Sequence, residues 1–370
     1  MEKEFFEDVA AMEQDYRSFE RAAFEEFQRE IEAMWGDFVA STDKDWVEYS
    51  EDKTGRSKVD FESGDVVVEV MVPKEKAQKD PQIVKKELFE EIERLVVDKG
   101  KSRDYSLPVE AFPEPVSPPT REKEIPPEPL LPTPVLDGQL QDKKGNPITE
   151  ENKKEFAQEV IETETVVQEE VKTEKGEMVK AQVTFSLVPD HLRVRAERYL
   201  DPIKKNAGRF NISVPLAFAV IHTESFFNPK ATSHVPAYGL MQLVPKSGGL
   251  DAYRSVYGKD KILSADYLYN PENNIELGCA YLGLLKNRYF KGIHQEEKAL
   301  YCAIASYNTG AGNLSRALCG RKDLRCAIDR ANAMELEALF SHIKLNLPYQ
   351  ETRDYLVRVS ERMSLYKEWE

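Results

Sequence analysis

Four short strings carry residue types that could do chemistry: Glu224-Ser225 within "AVIHTESFFNPKA", Gly239 to Gln242 in "GLMQ", Ala303 to Gly312 in "AIASYNTGAG", and Glu351 to Val359 in "ETRDYLVRV". Glu224 has the sharpest signal. Pro215 opens a helix without losing a hydrogen bond, because a first-turn N–H has no intrahelical acceptor. Leu216, Ala217, Ala219, Val220 and Ile221 then make that helix apolar nearly all round, so it is buried, and it is expected to break at Asn228-Pro229. A carboxylate near the end of such a helix is paired, neutralised by a raised pKa, or placed on the wall of a cleft. Spacing alone leaves an N-capping or ion-paired glutamate open. Desolvated by apolar walls, with Phe226 and Phe227 following it, the same group is a general acid. His222-Thr223-Glu224 has the H-x-E pattern of zinc deaminases, but no Pro-Cys-x-x-Cys accompanies it. Two residues apart on a helix, side chains point roughly 200° from each other. Metal catalysis is set aside, and no metal or cofactor is expected.

The elements that must position these residues divide the chain near residue 190. Before it, apolar positions recur at steps of four and three from Phe5 through Val9, Met12, Tyr16, Phe19, Ala23, Phe27 and Ile31 to Met34, which predicts one long amphipathic helix over 5–35. Val59 and Phe61, the turn residues Ser63-Gly64, then Val66, Val68, Val70 and Val72 switch to period two and predict a β-hairpin. Helical spacing returns through Val84, Leu88, Ile92 and Leu95, between Asp80-Pro81 and Gly100. Proline recurs too often from Leu107 to Pro134 for a helix or central strand, so 107–134 is read as an extended strap. A second hairpin turning near Gly176, with Val183, Phe185 and Leu187 on one face, is assigned to the same sheet. After Pro189 the pattern is helices with short turns. The fold class expected is α+β: a mainly helical domain, 191–370, preceded by a small α/β domain, 1–190.

Charge follows the same division. Of the net −15, residues 1–190 hold 26 Lys+Arg against 47 Asp+Glu, and residues 191–370 hold 25 against 19. The first part repels nucleic acid, and the second suits an anionic polymer without the basic, aromatic-interleaved runs of a nucleic-acid binder. No stretch reads as a membrane span, and "MEKEFFEDVAAMEQDYRSFE" lacks the basic start and apolar run of a secretory signal. That leaves a cytoplasmic chain or one lacking its leader. Cys279 and Cys302 read as buried small hydrophobes; Cys319 and Cys326 bracket "GRKDLR" and are either a small disulfide or free thiols.

In this order, with eighteen positions from Glu224 to Gln242, the four strings resemble the lytic transglycosylase domain of the goose-type lysozyme superfamily. "NNIELGCAYL", Asn273 to Leu282, resembles the helix that precedes the Tyr-Asn motif there, and the likeness covers about 180 residues. "AMWG" at Ala33 to Gly36, followed by "YSEDKTGRSKVDFESGDVVVEV", resembles the N-terminal domain of membrane-bound members of the family. The resemblance implies a lysozyme-like fold and non-hydrolytic cleavage of the β-1,4 bond between N-acetylmuramoyl and N-acetylglucosaminyl residues of peptidoglycan strands. It implies Glu224 as the single catalytic acid and base. Ser233, Gln242, Tyr307 and Asn308 are implied as substrate-side residues, with Tyr355 on the cleft wall or in the core. It further implies the periplasmic face of the envelope and an outer-membrane lipid anchor that this chain does not carry, with the N-terminal domain available to envelope partners. A hydrolytic lysozyme and a non-catalytic peptidoglycan-binding protein are the competing readings.

Overall fold

The computed structural model describes residues 24–100, 131–233 and 237–370. The helical repeat expected before residue 24 and the strap over 107–130 lie outside the described residues. The chain gathers into two compact bodies that interleave along the sequence. One comprises residues up to Glu197 with Phe226–Gln242 and Ser264–Asn270, and the other Arg198–Ser225, Leu243–Leu263 and Pro271–Glu370.

The first body is built on five strands: β1 (Asp45–Tyr49), β2 (Gly55–Asp60), β3 (Asp65–Pro73), β4 (Val167–Thr173) and β5 (Gly176–Ser186). They form one antiparallel sheet in the order β1-β2-β3-β5-β4. Both expected hairpins are present, and β5 pairs with β3 so that they share the sheet. The β2–β3 turn needs Gly64: its φ is +84°, and a Cβ there would lie 2.8 Å from His191 Nε2. Alternation on β3 decides what each face buries. Val66, Val68, Val70 and Val72 stand beside Phe185, Val183, Ala181 and Val179 of β5, and together they cover Val84, Leu88, Ile92 and Leu95 of the helix Ile83–Val96. The helix Lys153–Thr163 adds Phe156, Ala157, Val160 and Ile161 to the same core. Met71, one residue out of phase, faces the other way and packs with Val47, Tyr49, Met178, Ile31 and Trp35, the last two from the helix over 24–35. β3 is thus buried on both faces, as its near-continuous apolar run, interrupted only by Glu69 between Val66 and Val72, requires.

Three elements of this body escaped the sequence reading. β1, "DWVEY", is short and flanked by acids; Lys74–Lys79 buries no residue; Lys153–Thr163 lies in a strongly charged stretch whose apolar pairs are easily overlooked.

The apolar faces carry two charged knots. Arg56 pairs with Glu69 at 2.6 Å and Asp37 at 2.9 Å, and its guanidinium lies 4.4 Å from the Trp35 ring centroid, while Lys180 reaches Glu69 at 3.0 Å. Burial works against the charge of Arg56, but its hydrogen bond and ion pair with Glu69 outweigh it and hold the group above its ordinary pKa. Arg195 is the second knot. It is 1% exposed and donates to Phe61 O at 2.7 Å, Gln139 Oε1 at 2.8 Å and Phe226 O at 3.0 Å, with its guanidinium 4.7 Å from the Phe61 ring centroid. The planar fork joins the end of the first hairpin to the segment 226–242. Thr232 adds a backbone bond to Thr42 O at 3.2 Å and a hydroxyl contact with Tyr269 at 2.6 Å.

The second body is helical throughout its described residues, as expected. The helix Val214–Ser225 is buried along nearly its whole length. Around it run Leu200–Phe210, Gly248–Tyr257, Pro271–Leu284, Glu296–Thr309, Ala311–Cys319, Leu324–Ala333, Leu336–Asn346 and Gln350–Arg362, closed by a 3₁₀ segment, Met363–Trp369. Gly283 lets the helix Pro271–Leu284 approach Phe210, where a Cβ would meet the carbonyl oxygen at 2.6 Å. Cys319 and Cys326 are joined as a disulfide, and Cys279 and Cys302 are buried thiols.

Breaking the first charged knot from one side has a predictable sign. Glu69→Ala leaves the Arg56 charge buried without its main partner, and denaturant unfolding of the full chain is expected to show a loss of about 3–5 kcal/mol, whereas Arg56→Met with Glu69→Leu is expected to be close to neutral.

Candidate active site

The site is built on the helix Val214–Ser225. Pro215 sits in its first turn as expected, and ten of its twelve residues are buried. Glu224 is half-buried, one residue before the helix ends. The end comes earlier than the Asn228-Pro229 break expected from sequence. Phe226 and Phe227 both take left-handed backbone, with φ +49° and +61°, and that reversal stops the helix at Ser225. Two successive bulky residues in this region store about 1–3 kcal/mol each, and such strain persists only where packing over-determines it. The packing is visible: Phe227 is fully buried, Phe226 joins the core of the first body, and the Phe226 carbonyl is held by Arg195. Asn228 forms the next turn by accepting from Lys230 N at 2.9 Å.

Two tyrosines come to Glu224 from different helices. Tyr307, on Glu296–Thr309, is 9% exposed; Tyr355, on Gln350–Arg362, is 2% exposed. Both phenols are pushed well above their ordinary pKa, first by burial and next by the negative charge of Glu224. The Tyr355 hydroxyl has no partner at strict hydrogen-bonding geometry, yet the Glu224 carboxyl is near enough to act on it both by charge and as a loose acceptor. Sequence left Tyr355 between cleft wall and core; it is buried, with the Glu224 carboxyl near enough to raise its pKa. Asn308 accepts from Thr352 Oγ1 at 2.6 Å, which ties the helix of Tyr307 to that of Tyr355 and fixes the spacing of the two phenols. Tyr281 was not singled out from sequence. Its ring centroid is 5.3 Å from that of Tyr307, and its phenol is pushed up to about 12 by burial and then by Asp251.

Ser233 and Gln242 belong to the segment 226–242 in the first body. Ser233 is half-buried, with its N–H donating to Ala237 O at 3.3 Å. Gln242 spends its amide protons within its own loop. Its Nε2 donates to Ala231 O and Gly239 O, each at 2.9 Å, so both protons staple the loop. Its Oε1 is buried with no hydrogen-bond partner among the described residues, which leaves one acceptor uncommitted. Gln242 also has a positive φ, +45°, so the segment is entered and left through left-handed backbone.

The acid helix is held from behind by residues that sequence did not flag. Arg362 Nη1 donates to His222 O and Thr223 Oγ1, each at 3.1 Å, and the Tyr366 hydroxyl lies 2.8 Å from His222 Nδ1. The signal was readable, since Tyr355, Val359, Arg362 and Tyr366 follow steps of four, three and four on one helical face.

Against known proteins, residues 201–326 match the family model of the transglycosylase SLT domain, and residues 12–94 that of the N-terminal domain of membrane-bound lytic murein transglycosylase C. The chain is 32% identical over 348 residues to proteins named membrane-bound lytic murein transglycosylase C from Yersinia pestis strain Pestoides F and from Yersinia pseudotuberculosis serotype O:1b, covering 93% of this chain and 88% of each relative. Among solved structures it is similar to an inactive mutant of the lytic transglycosylase Slt from Pseudomonas aeruginosa, at 26% identity and TM-score 0.35 over 45% of this chain and 24% of that one. The 70-kDa soluble lytic transglycosylase of Escherichia coli matches at 26% identity and TM-score 0.36 over 46% and 24%.

The two phenols give the fold a defined alkaline limit. Because their folded pKa values lie above that of an exposed tyrosine, about 10, the native state holds these protons more tightly than the unfolded chain. Their contribution is complete below that pH and is lost as pH rises beyond it. Melting temperature measured across the alkaline range is expected to fall steeply above about pH 10, and less steeply in Tyr355→Phe.

Proposed function

The chain belongs to the membrane-bound lytic murein transglycosylase C family, and from that membership we infer that it is a peptidoglycan lytic transglycosylase that cuts the muramoyl–glucosaminyl β-1,4 bond without water. The observation that carries the mechanism is the position of Glu224: half-buried at the end of an apolar helix, with two neutral phenols beside it.

In the proposed reaction Glu224 protonates the glycosidic oxygen as the bond to C1 breaks, and the glucosaminyl end leaves with that proton. The resulting carboxylate takes the proton of the muramoyl C6 hydroxyl, whose oxygen closes on C1 to give the 1,6-anhydro ring. Glu224 ends protonated, as it began. The attacking oxygen belongs to the same sugar, so ring closure has the advantage of an intramolecular step and needs no second carboxylate to activate water. Tyr307 and Tyr355, kept neutral by burial, offer oriented dipoles to the cationic transition state without adding a competing negative charge. Asn308 positions Tyr307 through Thr352. Gln242 is assigned an acceptor role, through Oε1, toward an acetamido N–H of the glycan; Ser233 is assigned a hydroxyl contact to the muramoyl residue.

The setting we propose is the periplasmic face of the envelope, at the outer membrane, with peptidoglycan strands as the partner. The relatives are named as membrane-bound, while no helix of the described residues is long and apolar enough to cross a membrane. A lipid anchor reconciles the two, and the Cys319–Cys326 disulfide suits an oxidising compartment.

Mass spectrometry of products from purified peptidoglycan tests the reading. Anhydro-muramoyl ends, lighter by one water than reducing ends, are the expected products, and reducing ends would assign a hydrolytic lysozyme instead. Glu224→Gln is expected to lower turnover by at least about 10²–10⁴-fold, and activity is expected to decline toward alkaline pH as the donor proton is lost.

A further inference from the structure

We propose that Arg362 is a positioning residue for the proton-donating turn of the acid helix, acting through the His222 carbonyl and the Thr223 hydroxyl. The inference rests on the transglycosylase reading above and adds to it a residue outside the four strings that carry the chemistry.

His222 and Thr223 lie in the last turn of the helix Val214–Ser225. Downstream, the chain turns left-handed at Phe226 and Phe227 and cannot continue the ladder. Arg362 donates to that last turn: one guanidinium nitrogen bonds both His222 O and Thr223 Oγ1. The Thr223 hydroxyl in turn donates to Ala219 O at 2.7 Å, so through it the hold of the guanidinium reaches back along the last turn before Glu224. A cation at a helix C-terminus also favours the helix electrostatically. The hold is reinforced from the same element. Tyr366 meets His222 Nδ1, and the rings of Tyr366 and Trp369 lie 5.1 and 4.6 Å from that of Phe218, one turn further back.

This arrangement has a geometric consequence. Gln350–Arg362 and the 3₁₀ segment Met363–Trp369 are contiguous, and their Tyr355 faces the Glu224 carboxyl while Arg362 and Tyr366 grip the backbone and ring just before it. One continuous stretch therefore sets both the phenol and the helix turn from which the acid projects. A shift of that turn moves the carboxyl relative to Tyr355, and a displacement of about 1 Å at a reacting group can cost about a hundredfold in rate.

The test uses the full chain and soluble uncrosslinked glycan strands, with release of anhydro ends as the readout. Arg362→Met is expected to lower kcat by about 10- to 100-fold while KM stays within about twofold of the parent, because only the turn that delivers the proton is loosened. Arg362→Lys, which keeps one donor and loses the planar fork, is expected to recover part of that loss. Where Arg362→Met does not fold, Arg362→Lys and Tyr366→Phe are measured alone, each corrected for its folded fraction, and a lowered kcat is expected from each. A parent-like kcat per folded molecule, or a loss confined to KM, overturns the inference while leaving the reaction intact. A parent chain that releases no anhydro ends sinks the reaction and the inference together.

Discussion

A single carboxyl group, partly withdrawn from water near two phenols that burial first and its negative charge second keep protonated, is the constraint from which the rest of the second body follows. Three helices must converge for that contact to exist, one bearing Glu224, one Tyr307 and one Tyr355. Their convergence is specified by polar ties rather than by apolar packing alone. The Thr352–Asn308 bond sets two of the helices, and the Arg362 fork sets the third against them. Apolar packing brings such helices together but is non-directional; the hydrogen bonds choose the rotation.

The same logic explains why the acid-bearing helix stops where it does. Two aromatic residues in left-handed backbone are an expensive way to end a helix, and glycine would end it at no steric cost. Phenylalanine is retained because its ring is used: Phe227 is fully buried, and Phe226 packs into the core under the sheet. The strain is balanced by burial, worth about 1.5–3 kcal/mol for a phenylalanine side chain, and by the buried guanidinium of Arg195. Phe226 and Phe227, which follow the acid's helix in sequence, thus belong to the first body, where Phe226 packs against the core.

Much of this was legible in the sequence because the governing patterns are local. Period-two valines marked the first hairpin, the turn at Gly176 with Val183, Phe185 and Leu187 marked the second, and the apolar run after Pro215 with its single acid marked the buried helix and Glu224. What was not legible depended on partners distant in sequence. Nothing near Gln242 announces that both of its amide protons are taken by loop carbonyls, or that Phe226 reverses the chain two residues before Asn228. Arg195 looks like any surface arginine in a charged helix until Phe61, Gln139 and Phe226 close around it from three regions of the chain. Arg362 was within reach, since its spacing from Tyr355 and Tyr366 is helical, but a charged residue on an apolar stripe reads as a solvated edge unless its acceptor is known.

The positive φ angles at both ends of the 226–242 segment restrict how this protein can change over time. β-Branched residues are all but barred from Phe226, Phe227 and Gln242, and glycine, the easy occupant of such backbone, would surrender the buried rings or the stapling amide. Substitution at these three positions is caught between backbone and packing, so each can drift only together with its surroundings. The loop is heritable as a unit with the sheet core against which Phe226 packs.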